Sequence, residues 1–191
     1  MATFDEVLGE IRALQAGSPR VVVGVSGFGG SGKSTLTRRL IAAVPGSVRI
    51  RGDDFIVPSL AGERSGEWSA VERRRLRREV IDPYRAGMPG TFRRYDWSTG
   101  ALGPAEPLPD AGILVVDAVG LFHPDLDGSI DLRVWVDLDL DLATRRGKER
   151  DRLAGNDHDR LWDEVWAPNE RDFAQRYRPR ETADLRYVDS A

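Results

Sequence analysis

Cysteine is absent from this chain. That excludes disulfides, thiolate zinc sites and a cysteine nucleophile, leaving chemistry to oxygen and nitrogen groups. Histidine occurs only as His123 and His158, too isolated to argue a metal site. No apolar run approaches the roughly 20 residues needed to span a bilayer. The first residues, MATFDEVLGEIRALQ, are acidic and amphipathic, unlike a secretory signal, so a soluble cytoplasmic protein is the expectation. An excess of positive charge is missing too: 28 Lys and Arg face 31 Asp and Glu, for a formal net charge of -3. This argues against a general nucleic-acid or anionic-membrane binder. Lysine is scarcest of all, since Lys33 and Lys148 stand alone in an arginine-rich background.

What is present suits one compact domain over 1–191. Hydrophobic residues make up 40% of the 191 and charged residues 31%, enough for a core and a solvated surface. Thr3 and Glu6 form a capping box ahead of Phe4, Val7, Leu8, Ile11 and Leu14, which repeat at helical spacing. Residues 20–25, 47–51, 113–116, 132–136 and 185–188 read as strands, several of them continuous apolar runs buried on both faces. Residues 34–44, 69–82, 138–154 and 160–177 read as helices, with Pro83 closing the second. Residues 96–110, with two glycines and three prolines, read as a loop. Alternating strands and helices predict an α/β fold with a mostly parallel five-stranded sheet flanked by helices.

Residues 27–34, GFGGSGKS, satisfy G-x-x-x-x-G-K-[ST] between a strand and a helix. Glycines let backbone N–H groups wrap a phosphate, and the helix start adds its positive dipole end. Lys33 suits the β- and γ-phosphates as a compact point charge where a planar guanidinium fits less well. Ser34 offers a hydroxyl to Mg²⁺. The predicted ATP-binding set is Gly27, Gly29, Gly30, Ser31, Gly32, Lys33, Ser34 and Thr35. An incidental glycine-rich turn is the alternative, and the complete motif in strand–loop–helix context argues against it.

Three further stretches bear on the reaction. Asp53 and Asp54 follow a strand, where residues line the ligand crevice of an open α/β sheet; a carboxylate there can take the proton of an acceptor hydroxyl, or simply form a polar turn. Residues 113–117, ILVVD, have Walker B character, with Asp117 near Mg²⁺, although four apolar residues before an acid also arise by chance. Residues 144–151, TRRGKERD, place cations where a γ-phosphate can be clamped, or form a solvated helix face.

Together these segments resemble the uridine kinase-like family of P-loop nucleoside kinases, including its nicotinamide riboside kinase relatives, over about 20–188. GDDF at Asp53 resembles the family motif whose first acid serves the acceptor and partners Mg²⁺. Tyr95-Asp96-Trp97 resembles a tripeptide whose aromatics border the nucleobase. Residues 115–122, VVDAVGLF, are similar to a hydrophobic-Glu-Gly segment, with Asp117 in place of Glu. Residues 136–151 resemble the entry to a short helical lid at about 145–160, in which Arg146 and Arg150-Asp151 coincide with family positions; 178–189 resemble the closing segment. The resemblance implies a three-layer P-loop fold and an ATP-dependent kinase. Lys33, Asp53, Arg146 and Arg150 would be catalytic; Asp53, Glu67, Tyr95 and Trp97 would face the acceptor; Ser34, Asp117 and Asp53 would surround Mg²⁺. Gly100 stands where the pyrimidine-specific form carries a histidine, and Glu67 where it carries a ribose-binding Asp.

Three readings stay open: a nucleoside kinase, a kinase of another hydroxylated metabolite, antibiotic or nucleotide, and a hydrolysing switch or binding module. The partners implied are ATP and a small acceptor, with a homodimer left open. The run at 72–79, ERRRLRRE, reads as a solvated helix with one arginine free to face the acceptor. Asp125, Asp127, Ser129 and Asp131 hint at a calcium loop but lack its Gly and Glu. Trp162 and Trp166 read as packing residues.

Overall fold

The computed structural model describes residues 1–96 and 98–189. Five strands form one parallel sheet: β1 (Val21–Ser26), β2 (Ser47–Arg51), β5 (Ile113–Ala118), β6 (Leu132–Val136) and β7 (Leu185–Tyr187), in the order β2-β5-β1-β6-β7. The central strands divide their side chains between two layers, as a period of two requires. Val21, Val23 and Val25 of β1, with Ile113 and Val115 of β5, pack against α1 (Phe4–Gly17) and α2 (Lys33–Ala43). Val22, Leu114 and Val116 face the other layer, with Ile50, Leu76, Ile81 and Tyr84. The capping box is present: Thr3 Oγ1 accepts from Glu6 N–H, and the Glu6 carboxylate accepts from Thr3 N–H at 2.7 Å.

The five strand expectations and the parallel α/β architecture agree with this sheet. Three local expectations do not. The loop read over 96–110 contains a strand, β4 (Ala101–Pro107), paired antiparallel with β3 (Thr91–Asp96). Proline is tolerated in a two-stranded ribbon because both strands are edges, and the register shift between Arg93 and Tyr95 takes up Pro104.

The second difference is at Pro83, which does not end its helix. α3 (Arg73–Leu76) passes through a π-turn (Arg77–Ile81) into α4 (Asp82–Ala86). A second π-turn, Trp162–Trp166, joins α6 (Asp159–Leu161) to α7 (Ala167–Tyr177), just before Pro168. In both, the residue preceding the proline donates five residues back, Asp82 to Arg77 and Ala167 to Trp162. The wider turn relieves the clash between the proline ring and the carbonyl four residues earlier, and the helix continues.

The third difference is in the arginine-rich run, which is not wholly solvated. Arg73 and Arg75 are buried at 4% and 8% exposure. Arg73 donates to the carbonyls of Gly120, Glu67 and Trp68, and burial pulls its guanidinium down to about 10. Arg75 lies over the Phe55 ring and donates to the carbonyls of Asp54 and Arg93. Arg74 and Arg78 stay on the surface, 84% and 69% exposed, as helical alternation dictates. The carboxylates at 125–131 are likewise engaged by arginines: Asp125 by Arg74, Asp127 by Arg133 and Asp131 by Arg85.

Candidate active site

The carboxyl ends of β1, β2 and β5 converge on one cavity of about 790 Å³. β1 sits between β5 and β6 at the centre of the sheet, and the chain leaving it forms the glycine loop that opens α2. The Ser26 hydroxyl donates to the Ala118 carbonyl at 3.0 Å and ties the end of β1 to β5. Gly30 has φ +83°, and a Cβ there would lie 2.1 Å from the Ala143 carbonyl oxygen of α5 (Leu140–Leu153). Only glycine allows the loop and α5 to meet so closely.

Lys33 is half-buried, and its Nζ donates to the carbonyls of Gly27 at 2.9 Å and Phe28 at 2.7 Å. Burial lowers its ammonium from the ordinary lysine range, against the opposing pull of Glu170, Asp53 and Asp117. Ser34 Oγ donates to Asp117 Oδ2 at 3.1 Å, joining the start of α2 to the end of β5. A hydroxyl and a carboxylate in contact are hard oxygen donors of the kind Mg²⁺ takes alongside phosphate and water. Among the described residues no group of three or more His, Asp or Glu forms a metal cluster.

Asp53, Arg146 and Arg150 line the same cavity as Lys33, Ser34, Thr35 and Asp117. Asp53 is exposed and lies 3.7 Å from Arg51. Its neighbour Asp54 turns inward and pairs with Arg94 at 2.6 Å; burial raises its carboxyl despite that partner. On α5, Arg150 donates to Asp151, which also accepts from Trp162 Nε1 at 2.9 Å. Burial alone would raise Asp151, but the Trp162 and Arg150 hydrogen bonds hold it below the usual carboxylate range.

Two predicted acceptor residues lie elsewhere. Glu67 borders a smaller pocket with Arg74 and His123 and pairs with Arg176 at 2.7 Å. Tyr95 is buried in the β3–β4 ribbon and is not among the cavity residues. Trp97 lies outside the described residues. The cavity lining also includes an apolar set, Ile56, Trp68, Ala70, Val119, Leu161 and Trp166. Trp162, expected as a packing residue, is 3% exposed and packs edge-to-face on Trp166 at 5.1 Å. It also reaches the cavity, and a Cβ on Gly147 would fall 2.4 Å from its ring.

Two site residues escape the sequence reading. Arg49, on β2, grips Asp117 through Nε at 2.7 Å and a terminal nitrogen at 2.6 Å. That hydrogen bonding, ahead of burial, raises its guanidinium further. The clue is its place between Val48 and Ile50 on an alternating strand, but using it requires knowing that β2 borders β5. Glu170, on α7, accepts the Gly29 N–H with both carboxylate oxygens at 2.9 Å. Nothing in its local sequence distinguishes it from a surface glutamate.

No protein-family profile matches the chain. Among curated sequences, it is 30% identical over 140 residues to a uridine kinase from Deinococcus deserti, covering 68% of both proteins. It is 24% identical over 148 residues to uridine-cytidine kinase C from Dictyostelium discoideum, covering 74% of this chain but only 32% of that one. This chain therefore spans about a third of the Dictyostelium protein's length. Among solved structures, a uridine kinase candidate from Bacillus stearothermophilus superposes with a TM-score of 0.75 at 18% identity, over 96% of each chain. A fructose transport system kinase candidate from a Silicibacter species gives 0.77 at 19% identity, over 98% of this chain and 100% of that one. At such identities the two structures speak for the fold alone.

Proposed function

The chain belongs to the uridine kinase-like family of P-loop kinases, and from that membership we propose that it transfers the γ-phosphate of ATP to a hydroxyl of a nucleoside or nucleoside-like small molecule. One observation carries this reading: the glycine loop, Asp53, Asp117 and the lid arginines Arg146 and Arg150 all face a single cavity.

ATP lies along residues 27–35, with Lys33 exchanging the carbonyls of Gly27 and Phe28 for the β- and γ-phosphates. Ser34 and Asp117 would hold Mg²⁺, which would supply positive charge against the phosphates when bound. Arg49 fixes the rotamer of Asp117 by gripping both of its oxygens. Asp53 accepts the acceptor's hydroxyl proton as the new O–P bond forms and the bond from Pγ to the ADP oxygen breaks. Arg146 and Arg150 close from α5 over the transferring group and exclude water.

A second reading, a kinase of another hydroxylated metabolite, is favoured by the residues that were expected to read a nucleoside. Glu67 borders a separate pocket, Tyr95 is not among the cavity residues, and Gly100 stands where the pyrimidine-specific form carries a histidine. An acceptor panel with labelled ATP separates the readings. Nucleoside-dependent ADP release supports the first, and release only with other metabolites supports the second. ATP hydrolysis indifferent to every acceptor refutes both in favour of a nucleotide-driven switch.

A further inference from the structure

One buried carboxylate takes no part in that reaction. Glu170 is 4% exposed yet lies at the wall of the nucleotide cavity. Both of its oxygens sit on the Gly29 N–H, a donor of the phosphate loop. Trp162 closes over the same glycine, since a Cβ on Gly29 would come within 2.7 Å of the ring. The charged groups around this point come from every neighbouring element. Lys33 faces Glu170 from the start of α2, and Lys33 is itself faced by Asp53 and Asp117 from strand ends and by Arg150 from α5. Arg38, Arg146, Asp151 and His158 are the other titratable groups of the cavity wall, with Asp151 already held by Trp162 and Arg150.

A triphosphate bound here adds several negative charges beside Lys33, within reach of a carboxylate that water hardly touches. Like charges in a poorly solvated site cannot all remain ionised, so one group takes a proton. Glu170 is flanked by Trp162 and carried on a packed helix, and protonation needs no backbone rearrangement.

We propose that Glu170 is a donor-site residue that takes up one proton from solvent as a nucleoside triphosphate settles on the loop, so that its ionised form lowers nucleotide affinity. This rests on residues 27–35 being the phosphate-donor site. In the free protein burial pushes the Glu170 carboxyl up to about 7, with Lys33 and the Gly29 N–H opposing that rise. The group is then mostly ionised at pH 8 and mostly protonated at pH 6. Linkage makes nucleotide binding about tenfold weaker at pH 8 than it would be with Glu170 protonated.

The test is calorimetric titration of the full chain with Mg²⁺ and an imido analogue of ATP. Paired buffers of different ionisation enthalpy count the protons at pH 6 and pH 8. Wild type is compared with Glu170→Gln, which keeps an oxygen for the Gly29 N–H and nearly the same volume. The analogue's own titration is common to both proteins and cancels in the difference. Wild type is expected to take up close to one more proton than the variant at pH 8 and no more at pH 6. The variant is expected to bind about tenfold tighter than wild type at pH 8. Equal proton uptake by the two proteins at pH 8 overturns the proposal. If the variant does not fold, the wild-type count decides, after subtracting the free analogue's titration: near one at pH 8 supports the proposal and near zero overturns it. If folded wild type binds no analogue at either pH, the donor-site reading falls, and the proposal with it.

Discussion

Asp53 and Asp54 carry the same side chain one residue apart, and the tight 3-10 turn after β2 sends them in opposite directions. Asp53 reaches the cavity with 59% of its side chain exposed, whereas Asp54 is buried against Arg94. Asp53→Ala is expected to lower acceptor-dependent phosphate transfer at least 100-fold, in the range of a lost general base, while nucleotide binding and the thermal midpoint stay near wild type. Asp54→Ala is expected to do the reverse and cost about 1–3 kcal/mol in denaturant unfolding, because it removes a charge-assisted hydrogen bond and leaves Arg94 with Glu106 alone. The sequence GDDF identifies the turn but not which acid faces the ligand, since that depends on how the turn packs under Ala118. Glu170 makes a prediction of its own. Its carboxyl keeps a proton up to about 7 in the native state against an ordinary 4.5, so the folded protein binds more protons than the unfolded chain between those values. Stability therefore falls as pH rises from about 4.5 to about 7 and levels above that. In Glu170→Gln, urea midpoints between pH 5 and pH 8 are expected to lose that component of the slope.

At the scale of elements, the chain states its strands and helices clearly and its irregularities poorly. The apolar runs at 21–25, 113–116 and 132–136 are short, rich in β-branched residues and bounded by turn residues, as buried strands are, and the Thr3–Glu6 box marks a helix start by local chemistry alone. The β3–β4 ribbon escapes because glycine and proline signal a turn equally well in a loop and in an edge strand. The first π-turn escapes because a proline normally ends a helix, as Pro83 is expected to; the helix read over 160–177 runs through Pro168, and there only the widened turn before the proline goes unread. The second π-turn carries Trp162 onto Gly29 and Gly147, which makes it the clasp between the lid and the phosphate loop. Trp162→Ala is expected to cost about 3–5 kcal/mol, as for other buried aromatic truncations, and to weaken nucleotide binding through loss of that contact. Chemical denaturation and nucleotide titration of the variant check the two effects separately. Gly30→Ala is expected to weaken nucleotide binding more sharply than it lowers stability, because the new methyl meets the Ala143 carbonyl and the loop must yield.

Across the whole molecule, the cavity joins the sheet edge, the loop and the lid, so a bound nucleotide ties together parts that are otherwise joined mainly by side chains. Saturation with Mg²⁺ and ATP at 100 times the dissociation constant is expected to stabilise the fold by about 2.7 kcal/mol. For a chain of this size that corresponds to a rise in thermal midpoint of about 5–10 °C, measurable by scanning calorimetry. Lys33→Ala is expected to lose most of that rise. The scarcity of lysine then acquires a practical meaning. Lys33 rests on two loop carbonyls, and Lys148 lies 2.6 Å from Asp163, 17% exposed. Amine acylation followed by peptide mapping therefore yields a footprint with two internal bands. The Lys33 band reports whether the phosphate seat is filled, and the Lys148 band, from the lid helix between Arg146 and Arg150, reports whether α5 shifts as it fills.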